Sequence, residues 1–370
     1  MKLKIAVVTT ALAVLAILTA MPVCAWTTEE AEEYASAAGV DTVDNGNEYL
    51  TENEKNGDAT VDFRSKLLII IKDTLDRFFG GASKTFVTLT AAIILSSVFR
   101  CVRGTVDSTP LSQTYDFFSV LVISGIAFSA VSSVFATARA ALDGGCVYFT
   151  ALLPVMNSLY TMGGNTAAAV ASNSSIVVFI SAVELITAKV LMPFLRITFA
   201  LSVASALPSS INLSSVTNLV KNTVSVILSF LFSMFGFVMF FQTIVASAAD
   251  NAAYRSVKFV SGVFIPVIGG VIGDSVRTVF ASVNVIRATT GALGTVVMLS
   301  TLLPPIIITF LYKGAVLLSS SVARMLGCDN ESRLLADINS ILSLVAAMLI
   351  GTSVLFVVSL AIFIKTGIDL

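Results

Sequence analysis

An all-α, polytopic membrane fold is predicted by three features of the sequence. Of its 370 residues, 56% are hydrophobic and 12% charged, about half the charge a soluble domain carries. Mean hydropathy is +0.93. The charges are spaced so that long gaps separate them, several long enough to cross a bilayer core of about 30 Å with about 20 residues. Together these predict six to eight membrane segments, some broken or re-entrant, over residues 80–370.

The N-terminus reads as an address signal. Met1-Lys2-Leu3-Lys4 is basic, Ile5 to Ala20 carries no charge, and Val23 and Ala25 occupy the small-residue positions of a cleavage site. This predicts a signal peptide over 1–25, cleaved after Ala25, with an uncleaved signal anchor as the alternative.

Residues 26–62 then form an acidic stretch. Glu29, Glu30, Glu32, Glu33, Asp41, Asp44, Glu48, Glu52, Glu54, Asp58 and Asp62 face one basic residue, Lys55. So little apolar surface predicts a solvated tether. Its scarcity of basic residues suits the extracytoplasmic side, since Lys and Arg are the residues retained inside.

From Phe63 to Phe79, apolar Phe63, Leu67, Ile70, Ile71, Leu75, Phe78 and Phe79 recur at helical spacing, with Arg64, Lys66, Lys72, Asp73, Asp76 and Arg77 opposite. That pattern is an amphipathic helix, at the interface or packed on the bundle. The best spanning cores follow: 117–137, 224–246, 293–311 and 341–364. The stretch 85–99 is short and needs Lys84 to snorkel. Residues 144–183 could hold two passes, interrupted by Pro154 and Gly163-Gly164-Asn165. With the tether outside, the first span runs inward and leaves Arg100 and Arg103 on the cytoplasmic side.

Two places invite a functional reading. The segment 176–207 is apolar yet holds Glu184, Lys189 and Arg196, and ionisable groups in hydrocarbon need partners or water. Lys189 and Arg196, seven apart, share a helix face. Glu184 and Lys189, five apart, sit about 140° apart on an α-helix, so pairing across helices is expected. Pro193 deprives the Lys189 carbonyl of its hydrogen bond and predicts a kink. Either these charges form a polar seam at a pore or subunit contact, or they lie near interfaces and are satisfied by neighbouring helices.

The second place is Pro266, Gly269, Gly270, Gly273, Asp274 and Arg277. An apolar run broken by proline and glycines predicts a broken hairpin, followed by a helix pairing Asp274 with Arg277 at i,i+3. Pro304-Pro305 predicts a comparable break or kink in 289–318.

Several classes of chemistry find no support. The chain has no histidine, the commonest general base and metal ligand. Cys24, Cys101, Cys146 and Cys328 form no C-x-x-C pair; Cys24 leaves with the signal peptide, and the other three read as small hydrophobes. Neither a nucleophile elbow, an H-E-x-x-H motif nor a phosphate loop occurs, and a net charge of −1 gives no attraction for nucleic acid. No catalytic site, cofactor or metal is expected.

The run Ser256-Val257-Lys258-Phe259, Phe264-Ile265-Pro266-Val267-Ile268-Gly269-Gly270 and Asp274-Ser275-Val276-Arg277-Thr278-Val279 resembles the stage III sporulation protein AE family. Thr289-Thr290-Gly291, Pro304-Pro305-Ile306 and Phe310-Leu311-Tyr312-Lys313 look like its continuation. The layout of signal, charged tether, amphipathic segment and multiple spans also matches. The resemblance implies a mother-cell membrane protein facing the forespore of an endospore-forming bacterium. It implies a polytopic, non-enzymatic platform or conduit in a secretion-like, trans-envelope complex that sustains late forespore development. Its partners would be other subunits of that complex, the lipid bilayer and further copies of itself. A self-sufficient secondary transporter is the rival reading, because transporters bind substrates at broken helices.

Overall fold

The computed structural model describes residues 63–103, 109–162, 178–207 and 213–264, together with 269–365. The signal peptide, its cleavage residue Ala25 and the acidic tether lie outside the described residues, as does Pro266. Every regular element among the described residues is helical.

The helices are α1 (Phe63–Arg103), α2 (Thr109–Met162), α3 (Met192–Ala206), α4 (Ser214–Phe264), α5 (Gly269–Met325) and α6 (Asp329–Lys365). A π-helical segment, Leu185–Leu191, leads directly into α3. Six described segments are long and apolar enough to cross a membrane: Leu67–Cys101, Thr114–Leu152, Val178–Ala206, Ser214–Val238, Gly294–Met325 and Asp329–Ala361. This agrees with the lower end of the expected range.

α5 and α6 form the centre. Both pack against α2, α1 lies on α5, and α3 and α4 lie on α6. Leu302, Val316, Leu334, Leu335, Ile338, Ile341, Leu342, Val345, Met348 and Leu349 are fully buried and belong to one continuous apolar cluster. α6 carries no charge from Ile338 to Ile364, so this helix can be buried on several sides without stranding an ion. Phe149 of α2 packs against Phe356 of α6 with ring centroids 5.5 Å apart and planes tilted by 36°.

Several interruptions read from the sequence lie inside continuous helices. The amphipathic segment 63–79 and the first span form one helix, running straight through Gly80-Gly81. Glycine costs about 1 kcal/mol in a helix interior; here it allows close approach, since a Cβ on Gly81 would stand 3.1 Å from the Tyr312 hydroxyl. Pro154 lies inside α2, and Pro304 and Pro305 lie inside α5. The carbonyls these prolines leave without an N–H donor are those four residues back, at Thr150, Ser300 and Thr301, and packing in the bundle keeps the helices continuous there. α4 ends at Phe264 and α5 begins at Gly269, on either side of Pro266.

Candidate functional site

Polar chemistry in this apolar bundle collects in two layers. The first joins the C-terminal ends of α1 and α5 to the N-terminal ends of α2 and α6. Its centre is Glu331, 0% exposed in the first turn of α6. Burying a carboxylate is costly unless it is paired and hydrogen-bonded, and Glu331 is both. Oε1 accepts from Ser96 of α1 at 2.8 Å and from Ser119 of α2 at 2.7 Å. Oε2 lies 3.2 Å from the Arg100 guanidinium. Arg100 also donates to the Gly327 carbonyl in the turn before α6 and pairs with Asp116 at 3.5 Å.

The turn itself is built for this. Gly327 takes φ +72°, a left-handed conformation that ends α5 without a Cβ penalty. Ser320 and Ser332 exchange hydroxyl-to-carbonyl bonds across it at 3.1 and 3.2 Å. Two turns further along α6, Asp337 accepts from Lys221 of α4 at 2.7 Å. Cys328 is buried in the same turn; burial pushes its thiol pKa up, and the Glu331 charge adds to the effect.

The second layer lies about 24 residues further along α2, roughly 36 Å of helix from Ser119. There Arg139 and Asp143 of α2 pair loosely, with Nε 3.5 Å from Oδ2. Glu184, at the start of the π-helix, is 9% exposed and Asp143 is 6% exposed. Glu184 is coupled electrostatically to Asp143 and Lys189 and faces the Cys146 thiol. Unlike Glu331, this group is poorly satisfied: Asp143 Oδ2 and Glu184 Oε2 are buried without a hydrogen-bond partner. A bridging water needs two to four such polar neighbours.

The π-helix corrects the geometry read from the sequence. Met192 N–H bonds the Thr187 carbonyl five residues back, the wide π register rather than an α turn. That register narrows the angle between residues five apart, and Lys189 acts electrostatically on Glu184 although Glu184 is buried and Lys189 exposed. Pro193 stands in the first turn of α3, where the missing N–H is tolerated; the break it imposes is taken up by the π turn. Of the three seam residues, Glu184 is buried while Lys189 and Arg196 are exposed on the outer side, so the structure does not gather all three into one site. Gly269, Gly270, Gly273, Asp274 and Arg277 occupy the opening turns of α5.

The Glu331 cluster, Arg139 and Asp143 were not singled out from the sequence. A glutamate in the opening turn of α6 reads locally as a favourable helix-end charge. Its partners lie 231 and 212 residues away in the chain, and no local pattern connects them.

The family model described as stage III sporulation protein AE matches residues 46–367. The chain belongs to that family. A stage III sporulation protein AE of Bacillus subtilis (strain 168) is 23% identical over 284 residues, covering 76% of this chain and 70% of that protein. No solved structure matches the chain. Family membership gives it a role in sporulation, and its six long apolar helices make it a membrane protein.

Proposed function

We propose that this chain is the non-enzymatic membrane platform of a secretion-like complex linking mother cell and forespore, needed for late forespore development. The observation that carries the reading is the family match over most of a chain whose described helices form one apolar bundle. The centre of that bundle is filled by fully buried side chains of α5 and α6. Any conduit therefore runs between this protein and its neighbours, not through its core.

In this proposal the signal peptide is removed after Ala25, and the tether of residues 26–62 stands on the extracytoplasmic side, between the two membranes. The Glu331 layer then faces the mother-cell cytoplasm, as the positive-inside rule places Arg100 and Arg103. Other subunits of the complex and the mother-cell membrane around the forespore are its partners. The helices that meet around Pro266 form a broken hairpin that packs during assembly.

Deleting the gene in its host, scored for heat-resistant spores and forespore morphology, tests the reading. A block after engulfment with shrunken forespores is expected, restored by the chain supplied in the mother cell and not by the chain supplied in the forespore. Normal spore yield would overturn it. The transporter alternative separates cleanly, because a transporter moves substrate in proteoliposomes without any other subunit.

A further inference from the structure

Glu184 lies within the membrane and is provided for differently from the other acids of the bundle. α6 sets the depth. Its residues 338–364 carry no charge. They make about 40 Å of helix, more than a hydrocarbon core of about 30 Å needs. Phe356, inside that run, meets Phe149 of α2 and stands 3.1 Å from where a Cβ on Gly145 would be. Asp143, two residues before Gly145, therefore sits inside the apolar layer, nearer the face opposite Glu331. It acts electrostatically on Glu184, which sets both acids at this depth. Ionisable side chains inside a membrane bundle mark functional sites such as proton relays.

The other acids that the bundle covers are each paired. Asp116 and Glu331 have Arg100, Asp143 has Arg139 and Asp337 has Lys221, all within 3.5 Å. Among the described residues Glu184 forms no ion pair, and its Oε2 is buried without a hydrogen-bond partner. Three groups face it. Asp143 and the Cys146 thiol come from α2, and Lys189 acts on both carboxylates from the exposed side of its own segment. α4 and α6 also pack on α3, but their residues 222–249 and 338–364 carry no charge. Asp143 opposes the carboxylate form of Glu184, while Lys189 and the thiol support it. Neighbours in opposition let a carboxyl exchange a proton instead of holding one charge state. The π turn that starts at the next residue is a feature found often at functional sites.

We infer that Glu184 is an intramembrane proton-binding site, through which this protein responds to the proton gradient across its membrane. A proton from water adds to Oε2, and the neutral carboxyl gains an O–H that turns an orphaned acceptor into a donor. Asp143 Oδ2, also buried without a hydrogen-bond partner, accepts in turn through one water. Release returns the proton to water and restores the charge, so nothing else is consumed. A buried ion is far costlier than a buried neutral acid, so proton occupancy changes how the Leu185–Leu191 segment packs on α2. The inference goes beyond the platform reading and concerns this chain alone.

The test uses the full purified chain in nanodiscs and dicyclohexylcarbodiimide, an apolar reagent that adds to protonated carboxyls. The modified residue is located by mass spectrometry across a pH series. Glu184 should be labelled, with a rate that falls roughly tenfold per pH unit once the site empties. Glu331, held as an ion by Arg100, should stay unlabelled at the same pH. Infrared difference spectra between acidic and alkaline buffer give a readout that needs no reagent. The band of a protonated carboxyl should be present in the wild type and in Glu331→Gln, and lost in Glu184→Gln. Glu184→Asp keeps a titrating group and should keep the band, which separates loss of the proton from loss of the fold.

A Glu184 that neither labels nor contributes to the infrared band at any pH would overturn the site. Labelling that does not vary with pH would describe a permanently neutral acid and overturn proton exchange. Modification of Asp143 in place of Glu184 would overturn the assignment to Glu184. These measurements need no other subunit, so their failure is distinguishable from failure of the platform reading, which the gene deletion tests.

Discussion

Glu331 and Glu184 are both buried glutamates in an apolar helical bundle, and they are treated in opposite ways. Glu331 receives two hydroxyls and a guanidinium drawn from α1 and α2, and the cation it holds also caps the α5–α6 turn. Glu184 keeps one oxygen without a partner, beside an ion pair stretched to 3.5 Å and a helix in π register. Buried polar networks fix a unique packing when fully satisfied and are sources of weakness when half satisfied. The contrast assigns different tasks to the two layers. The Glu331 layer locks four helix ends together, and the Glu184 layer is where the bundle can change.

The sharpest way to break that comparison is to remove Glu331. Glu331→Ala leaves Arg100 facing a hole and removes the acceptor shared by Ser96 and Ser119, which keep only their bond to each other at 2.6 Å. Removing one partner of a buried pair costs about 3–5 kcal/mol; the lower end is expected, because Arg100 is 28% exposed and keeps Asp116. A fall in the thermal midpoint of the detergent-solubilised protein measures it, and an unchanged midpoint would remove the lock.

A smaller loss is expected from Gly351→Ala. The ring of Phe232 on α4 occupies the place a Cβ would take on Gly351 of α6, so the ring must swing aside or α4 move outward. Overpacking of this kind costs about 1–3 kcal/mol. The same thermal measurement reads it, and pairing the change with Phe232→Ala should recover most of the loss.

Glu184→Gln should cost least, within about 1 kcal/mol, because the orphaned oxygen forfeits no hydrogen bond. A loss as large as that of Glu331→Ala would equate the two layers and end the distinction.

Cys328 sharpens the first layer further. Its thiol pKa is raised in the folded protein, first by burial and then by Glu331. A raised folded pKa means the stability it brings is present below the ordinary thiol range and is lost as pH climbs through the folded value. Alkaline buffer should therefore destabilise the wild type more than Cys328→Ser. Maleimide should label exposed Cys101 while sparing Cys328.

The legibility of this molecule in its sequence follows the range of each interaction. Charge-free gaps are local, so the spans were readable, including 341–364 within α6 and 293–311 within α5. The stage III sporulation family was likewise readable from the runs around Pro266 and Pro304-Pro305. Whether a proline or glycine stops a helix depends on its surroundings. Pro154, Pro304 and Pro305 stay inside helices, and Gly80-Gly81 stays helical where α1 lies on α5. Pro193 does mark a disruption, but the π turn it provokes changes which residues share a face. Among the candidate charges, Glu184, Lys189 and Arg196 were visible as anomalies in an apolar segment. Arg100, Asp116 and Glu331 show no local anomaly, because what makes them a cluster is the meeting of helix ends far apart in the chain.

Hydrogen exchange on the wild-type protein in nanodiscs tests the central contrast most directly, since neither layer is altered. The amides of α6 from Ser332 to Leu349 and those of the Leu185–Leu191 π-helix are compared within one sample. The account predicts that the π segment opens and exchanges well before the α6 segment behind Glu331 does. Equal protection of the two, or earlier exchange from α6, would contradict it.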